Sequence, residues 1–129
     1  MPANGRNLSS PAVSRSLNKE LLPMIHELKR YDATPGKGWA LRERFAKLTM
    51  PLLKRHGITV LHCWEPEGEP DSFVYLVSFA DASASDAAWK AFAADPEWKA
   101  GKAASEIDGP LLASQGTTLL KPSYFSPGG

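Results

Sequence analysis

Residues 34–57 read TPGKGWALRERFAKLTMPLLKRHG, and the fold is argued outward from them. Leu41, Phe45, Leu48 and Leu52 recur at spacings of four, three and four, which places them in one stripe of a helix, with Arg42, Glu43, Lys47, Lys54 and Arg55 mostly elsewhere. Thr34 is the expected N-cap. Pro35 would then stand at the first helical position, where its missing N–H leaves no bond unmade. Arg55 and His56 place positive charge in the last turn, and Gly57 supplies a left-handed residue to end it. Pro51 should kink the final turns. Such a helix is on the order of 30 Å long, enough to cross a small sheet.

On either side of it the pattern changes to strand. Met24 to Tyr31 is the expected first strand, closed by a turn at Asp32-Ala33-Thr34-Pro35. Ile58 to Glu65 and Ser72 to Phe79 are rich in β-branched and aromatic residues and flank a Pro-Glu-Gly-Glu-Pro segment, the signature of a hairpin. A register centred on Gly68 sets Trp64 near Phe73 and His62 near Tyr75, all four on one face. Leu61, Cys63, Val74 and Leu76 make the other face apolar as well, so both faces want cover.

Ser83 to Ala94 is the second helix, opened by Ser83 with Asp86 three residues on. Asp95-Pro96-Glu97-Trp98 begins a short third helix toward Glu106, with Asp95 as N-cap, and Gly109-Pro110 stops it. Thr117 to Lys121 is a last short strand, and Pro122, Pro127 and the terminal glycines read as a tail. The order β, α, β, β, α, β is the ferredoxin-like split βαβ arrangement of an α+β protein, an antiparallel sheet with helices on one face. An uncovered apolar sheet face is rare in a monomer, and a second copy meeting it across a two-fold axis, a homodimer, is the simplest cover.

Composition narrows the function classes. The chain of 129 residues, 43% hydrophobic, suits one domain with a single core. A net charge of +1 gives no electrostatic case for nucleic acid or an anionic membrane. No apolar run approaches the roughly 18 residues of a membrane span, so a soluble protein is expected. The single cysteine, Cys63, excludes an intramolecular disulfide and suits a reducing, cytoplasmic setting. Residues 1–23 form an expected flexible arm; Arg6, Arg15, Lys19 and several serines also give it the composition of an organellar transit peptide, the alternative localisation.

No motif is self-sufficient for catalysis, so the catalytic residues stay unassigned. His26, His56, His62 and Cys63 are the only imidazole or thiolate ligands in the chain, and none falls at metal-binding spacing, so neither metal nor cofactor is expected. His56 reads as a helix C-terminal residue favoured by the dipole. His62 is the more interesting: with Trp64, Phe73 and Tyr75 it forms an expected aromatic cluster around a titrating group, and His26 could join it or the dimer seam. The structural reading of that cluster is a histidine hydrogen-bonding Tyr75 across the sheet. Cys63 points away from His62 on a regular strand, which makes a Cys-His pair sterically poor and a small core residue the simpler role. The Pro35-Gly36-Lys37-Gly38 turn could present N–H groups to an anion, though a plain turn explains it too. Glu27, Lys29 and Arg30 could orient a substrate, or be paired at an edge. Trp39, Trp89, Phe92 and Trp98 are expected in the core or a seam.

Several stretches together resemble the NIPSNAP family. They are Ile25-His26-Glu27-Leu28-Lys29-Arg30-Tyr31 with Pro35-Gly36-Lys37; Phe45 through Thr49-Met50-Pro51-Leu52 to Arg55-His56-Gly57-Ile58; Trp64; Val74-Tyr75-Leu76; Trp89-Lys90-Ala91-Phe92; Asp95-Pro96-Glu97-Trp98; Ser105-Glu106; and Gly109-Pro110-Leu111. The resemblance covers 24–127 and implies a dimeric α/β barrel, in which two such sheets pair. It adds little chemistry: the wider barrel superfamily includes cofactor-free monooxygenases, haem-degrading enzymes and small-ligand binders. The reading is therefore a homodimer that binds a small apolar ligand or a partner, with His62, Trp64, Phe73, Tyr75 and His26 as candidate ligand residues. The alternative is a cofactor-independent monooxygenase or isomerase with His62 or His26 as base and Tyr75 as donor. A third is a pure interaction module docked through its arm.

Overall fold

The computed structural model describes residues 24–127; the expected arm over 1–23 lies outside them. Four strands form one antiparallel sheet in the order β2-β3-β1-β4, with β1 over Ile25–Ala33, β2 over Thr59–Trp64, β3 over Ser72–Phe79 and β4 over Leu112–Leu120. Helix α1 takes residues 38–55, α2 Ala82–Ala94 and α3 Pro96–Ser105. The element order and the strand order are those of the ferredoxin-like split βαβ fold. β1 pairs with β3 from Ile25↔Phe79 to Asp32↔Ser72 and with β4 on its other side, so it is an inner strand, not an edge.

Local chemistry corrects several expected boundaries. Thr34 does not cap α1: its Oγ1 donates to Pro110 O at 2.7 Å and its N–H to Leu111 O at 2.9 Å, tying the end of β1 to the approach to β4. Helix α1 starts at Gly38, and Lys37 at its N-cap position makes no side-chain bond. The cap comes instead from the hairpin, because Asp71 accepts from Gly36 N–H at 3.0 Å and from Gly38 N–H at 2.9 Å. An acceptor there meets N–H groups that the helix leaves free, and its negative charge suits the dipole. β1 runs two residues into the expected turn, to Ala33, and β4 starts at Leu112, five residues before the expected Thr117. β4 is exposed almost throughout, so its polar Ser114-Gln115-Gly116 stretch carries no buried alternation to announce it. The cap of α2 is Asp81, whose carboxylate accepts from Ala84 N–H at 2.8 Å, rather than Ser83.

Other expectations hold. Asp95 accepts from Glu97 N–H at 2.8 Å with Pro96 opening α3, and Gly57 closes α1 at φ 76°. Pro51 is preceded by a π turn within α1. Over Phe45–Thr49 the helix widens, and Met50 N–H bonds Phe45 O five residues back. In a regular α-helix the Pro51 ring would meet the Lys47 carbonyl, and the wider turn relieves that contact.

The helices cover one face of the sheet. Phe73, Tyr75, Val77 and Phe79 of β3 are buried beneath Leu41, Phe45, Leu52 and Leu53 of α1, with Ile58 and Phe92 beside them. Each large apolar side chain so buried contributes about 1.5–3 kcal/mol. The opposite face, with Leu28, Arg30, Val74 and Leu76 on its two inner strands, has no covering element among the described residues.

Candidate functional site

The hairpin register differs from expectation by one residue, and the difference decides which side chains can meet. Thr59↔Ser78 and Val60↔Val77 follow the expected pairing, but Leu61 is bulged out, after which His62 pairs with Leu76, Cys63 with Tyr75 and Trp64 with Val74. A one-residue shift in a strand exchanges its faces. The expected four-residue cluster is therefore split. Phe73 and Tyr75 point to the helices, whereas His62 and Trp64, stacked at 5.5 Å, share the open face with His26. Trp64 at the strand end also lines a depression of about 220 Å³ with Cys63, Phe73 and Met50. Cys63 does point away from His62, but it is exposed rather than a core residue, and burial of its surroundings pushes its thiol pKa up.

Tyr75 has a different hydroxyl partner from the expected histidine. It is fully buried, and its hydroxyl donates to that of Tyr31 at 2.8 Å. The two rings meet edge to face at 5.2 Å, and Phe45 lies 4.6 Å from Tyr75. Burial raises the pKa of both phenols. For Tyr31 the Tyr75 bond and the Arg44 charge oppose that rise. Both stay protonated at neutral pH. With Tyr75 donating, the Tyr31 proton has no acceptor among the described residues and is available to a guest.

That proton belongs to a partly enclosed cleft of about 340 Å³ between the sheet and the helices. Its walls are aromatic, from Phe45, Trp89, Phe92 and Trp98, and its polar groups are Lys29, Tyr31, Arg44, Thr49, Lys102 and Gln115. Strand alternation puts Lys29 and Tyr31 on the helix side of β1, and Thr117 and Gln115 face them from β4. Lys29 Nζ donates to Thr117 Oγ1 at 2.9 Å and sits 4.5 Å from the Trp89 ring centre. Behind it, buried Glu27 accepts from Ser85 Oγ at 2.5 Å and Trp89 Nε1 at 2.9 Å and lies 3.5 Å from Lys29 Nζ. Arg44 has a nearly buried side chain, donates through Nη1 to Glu106 at 2.8 Å and Ser105 at 3.1 Å, and stands 5.2 Å from the Trp98 ring. Burial pushes the Glu106 carboxyl up, but the Arg44 bond, the Leu111 N–H and Lys102 hold it below its ordinary value.

Two other polar clusters lie outside the cleft. His56 Nε2 is 2.7 Å from Asp95 Oδ2, with Arg55 3.4 Å away, so His56 pins the end of α1 to the start of α3. On the open face Arg30 spans Asp32 and Glu69, and Ser72 donates to Asp32 at 2.5 Å. Among the described residues no three His, Cys, Asp or Glu side chains gather as a metal site would need, and no helix is long and apolar enough to cross a membrane. Of the cleft's polar groups only Lys29 stands out in the sequence, as one of a charged strand group. Arg44, Trp98 and Gln115 come from three distant elements, and no local spacing relates them.

The family model that matches this chain is that of NIPSNAP, over residues 26–127. No curated protein matches. Among solved structures, an uncharacterized NIPSNAP domain protein from Burkholderia xenovorans is 24% identical with a TM-score of 0.66, the match covering 80% of this chain and 98% of that one. A NIPSNAP-like domain protein from the same organism is 23% identical with a TM-score of 0.68, covering 81% and 89%. A NIPSNAP family protein from Agrobacterium tumefaciens is 18% identical with a TM-score of 0.69, covering 81% and 97%.

Proposed function

Since this chain belongs to the NIPSNAP family, we propose that it is a homodimeric small-ligand-binding domain whose ligand sits in the cleft between sheet and helices. The observation that carries the reading is the cleft itself: about 340 Å³, walled by aromatic rings, with the free Tyr31 hydroxyl proton and the Lys29 and Arg44 cations at its surface. An apolar hollow with a few convergent polar groups is the general form of a small-molecule site. Native mass spectrometry of the purified full chain, with a thermal-shift screen of small aromatic compounds, tests it. A co-purifying or stabilising molecule whose effect is lost in Trp98→Ala supports the site. Absence of both any bound molecule and any stabilising compound overturns it.

The dimer is proposed through the open face of the sheet, where Leu28, Val74 and Leu76 stand half-buried with no covering element among the described residues and Trp64 is 48% exposed. An oxygenase or isomerase with a histidine base beside Tyr75 is less well supported. Tyr75 is turned to the helices, and His26, His56 and His62 do not line the cleft.

A further inference from the structure

We propose that the ligand of this cleft is a planar aromatic acid bound as its monoanion, its ring between the aromatic walls and its carboxylate at the Tyr31 hydroxyl and the Arg44 guanidinium. This rests on the ligand-site reading above and adds a chemical class to it.

The charge around the cleft favours an anion. Its titratable lining among the described residues is Tyr31 and three cations, Lys29, Arg44 and Lys102, with no carboxylate. The balancing carboxylates stand behind the wall: Glu27 lies 3.5 Å from Lys29, and Glu106 is shared between Arg44 at 2.8 Å and Lys102 at 3.4 Å. Three positive groups against two negative ones leave the site with one uncompensated positive charge, which a monoanion would neutralise.

Unmet donors at the cleft point the same way. Both Arg44 contacts use Nη1, so Nη2 and Nε have no partner among the described residues, although the side chain is only 6% exposed. Buried donors of this kind are normally satisfied, and a guanidinium fork matches a carboxylate. The Tyr31 proton is likewise free, and the Arg44 charge is close enough to pull the Tyr31 pKa down against burial. Thr49 is buried on the same wall, and its hydroxyl has no partner among the described residues either.

The shape of the lining points to a flat guest. Trp98 stands 4.8 Å from Phe92, and Trp89 6.1 Å from Phe92, and with Phe45 these rings make the cleft's aromatic lining. Such walls favour a flat unsaturated body over a flexible chain.

The test uses the full chain and quenching of its tryptophan fluorescence by benzoate, cinnamate and 2-naphthoate, each against its neutral carboxamide, with hexanoate as the aliphatic acid. Saturable binding of at least one aromatic acid, roughly tenfold tighter than its amide and weakened by salt, is expected. Hexanoate should bind more weakly than the aromatic acids. Arg44 is buried and paired, so Arg44→Ala risks the fold; Tyr31→Phe and Lys102→Gln are the variants of choice, with circular dichroism confirming that they fold. Both should weaken the acid several-fold and leave the amide unchanged. Acid and amide binding equally well overturns the charge assignment while leaving the ligand site standing. Acid preference that survives both variants places the anion elsewhere and also overturns it. Failure of every compound to bind overturns the class, and only if the broader screen is also blank does the site itself fall.

Discussion

Gly38→Ala sets two effects of opposite sign against each other. Helix propensity alone favours alanine over glycine by about 0.8–1.0 kcal/mol. Gly38 is buried, however, where α1 starts against the β2–β3 loop, and a Cβ built on it would press on Pro70 O and stand 2.7 Å from Asp71 Oδ1 and 2.8 Å from Asp71 Cα. Two of those neighbours are backbone, which cannot rotate away. Overpacking of this kind costs typically about 1–3 kcal/mol. Moving the loop to relieve it would also break the Asp71 bonds to Gly36 and Gly38, a cap worth about 0.5–2 kcal/mol. The contact terms win, and net destabilisation of about 1–3 kcal/mol is expected. For a domain of this size that lowers Tm on the order of 10 °C. Urea denaturation followed by circular dichroism measures it, with Gly101→Ala as control. The three atoms nearest a Cβ at Gly101 all belong to the Leu48 side chain, whose methyls can turn aside, so its alanine should fall within about 1 kcal/mol of the parent. A Gly38→Ala protein as stable as the parent would refute the close approach of the loop to the helix.

Leu53 has no exposed surface, so Leu53→Ala should lose about 2–5 kcal/mol in the same denaturation assay. Asp95 is held below its ordinary pKa by His56, the Glu97 N–H and Arg55. Because that folded value lies below the unfolded one, the stabilisation is present above the unfolded carboxylate pKa, about 3.9, and is lost as pH falls below it. Asp95→Asn should therefore flatten part of the fall in Tm between about pH 5 and 2, and an unchanged acid limb would count against the pairing. If the open face is the dimer seam, Leu76→Arg should give a monomeric mass by light scattering while the fold is retained.

The parts of the fold carried by local grammar were legible. Asp95-Pro96-Glu97 is a local helix-start signal, Gly57 a stop signal, and the alternation of Ser72 to Phe79 names a strand with a buried side. The missed features each depend on a partner far along the chain. The cap of α1 comes from Asp71, 33 residues after Gly38, and His56 finds Asp95 across 39 residues. The hairpin register needed the bulge at Leu61, which period-2 reasoning does not foresee, since an apolar residue looks the same in or out of the ladder. The cleft was least legible, for Lys29, Arg44, Trp98 and Gln115 converge only once the sheet and helices are stacked.

The bulge at Leu61 also bears on which changes of chain length the hairpin can absorb. Leu61 is supernumerary: on either side of it Val60 faces Val77 and His62 faces Leu76. Deleting it would leave every one of those pairs standing and simply straighten the strand. Deleting Cys63 instead would slide Trp64 into register with Tyr75 and force an indole toward the packed helix side. A shortening by one residue is thus nearly silent at one position and a reversal of inside and outside two positions later.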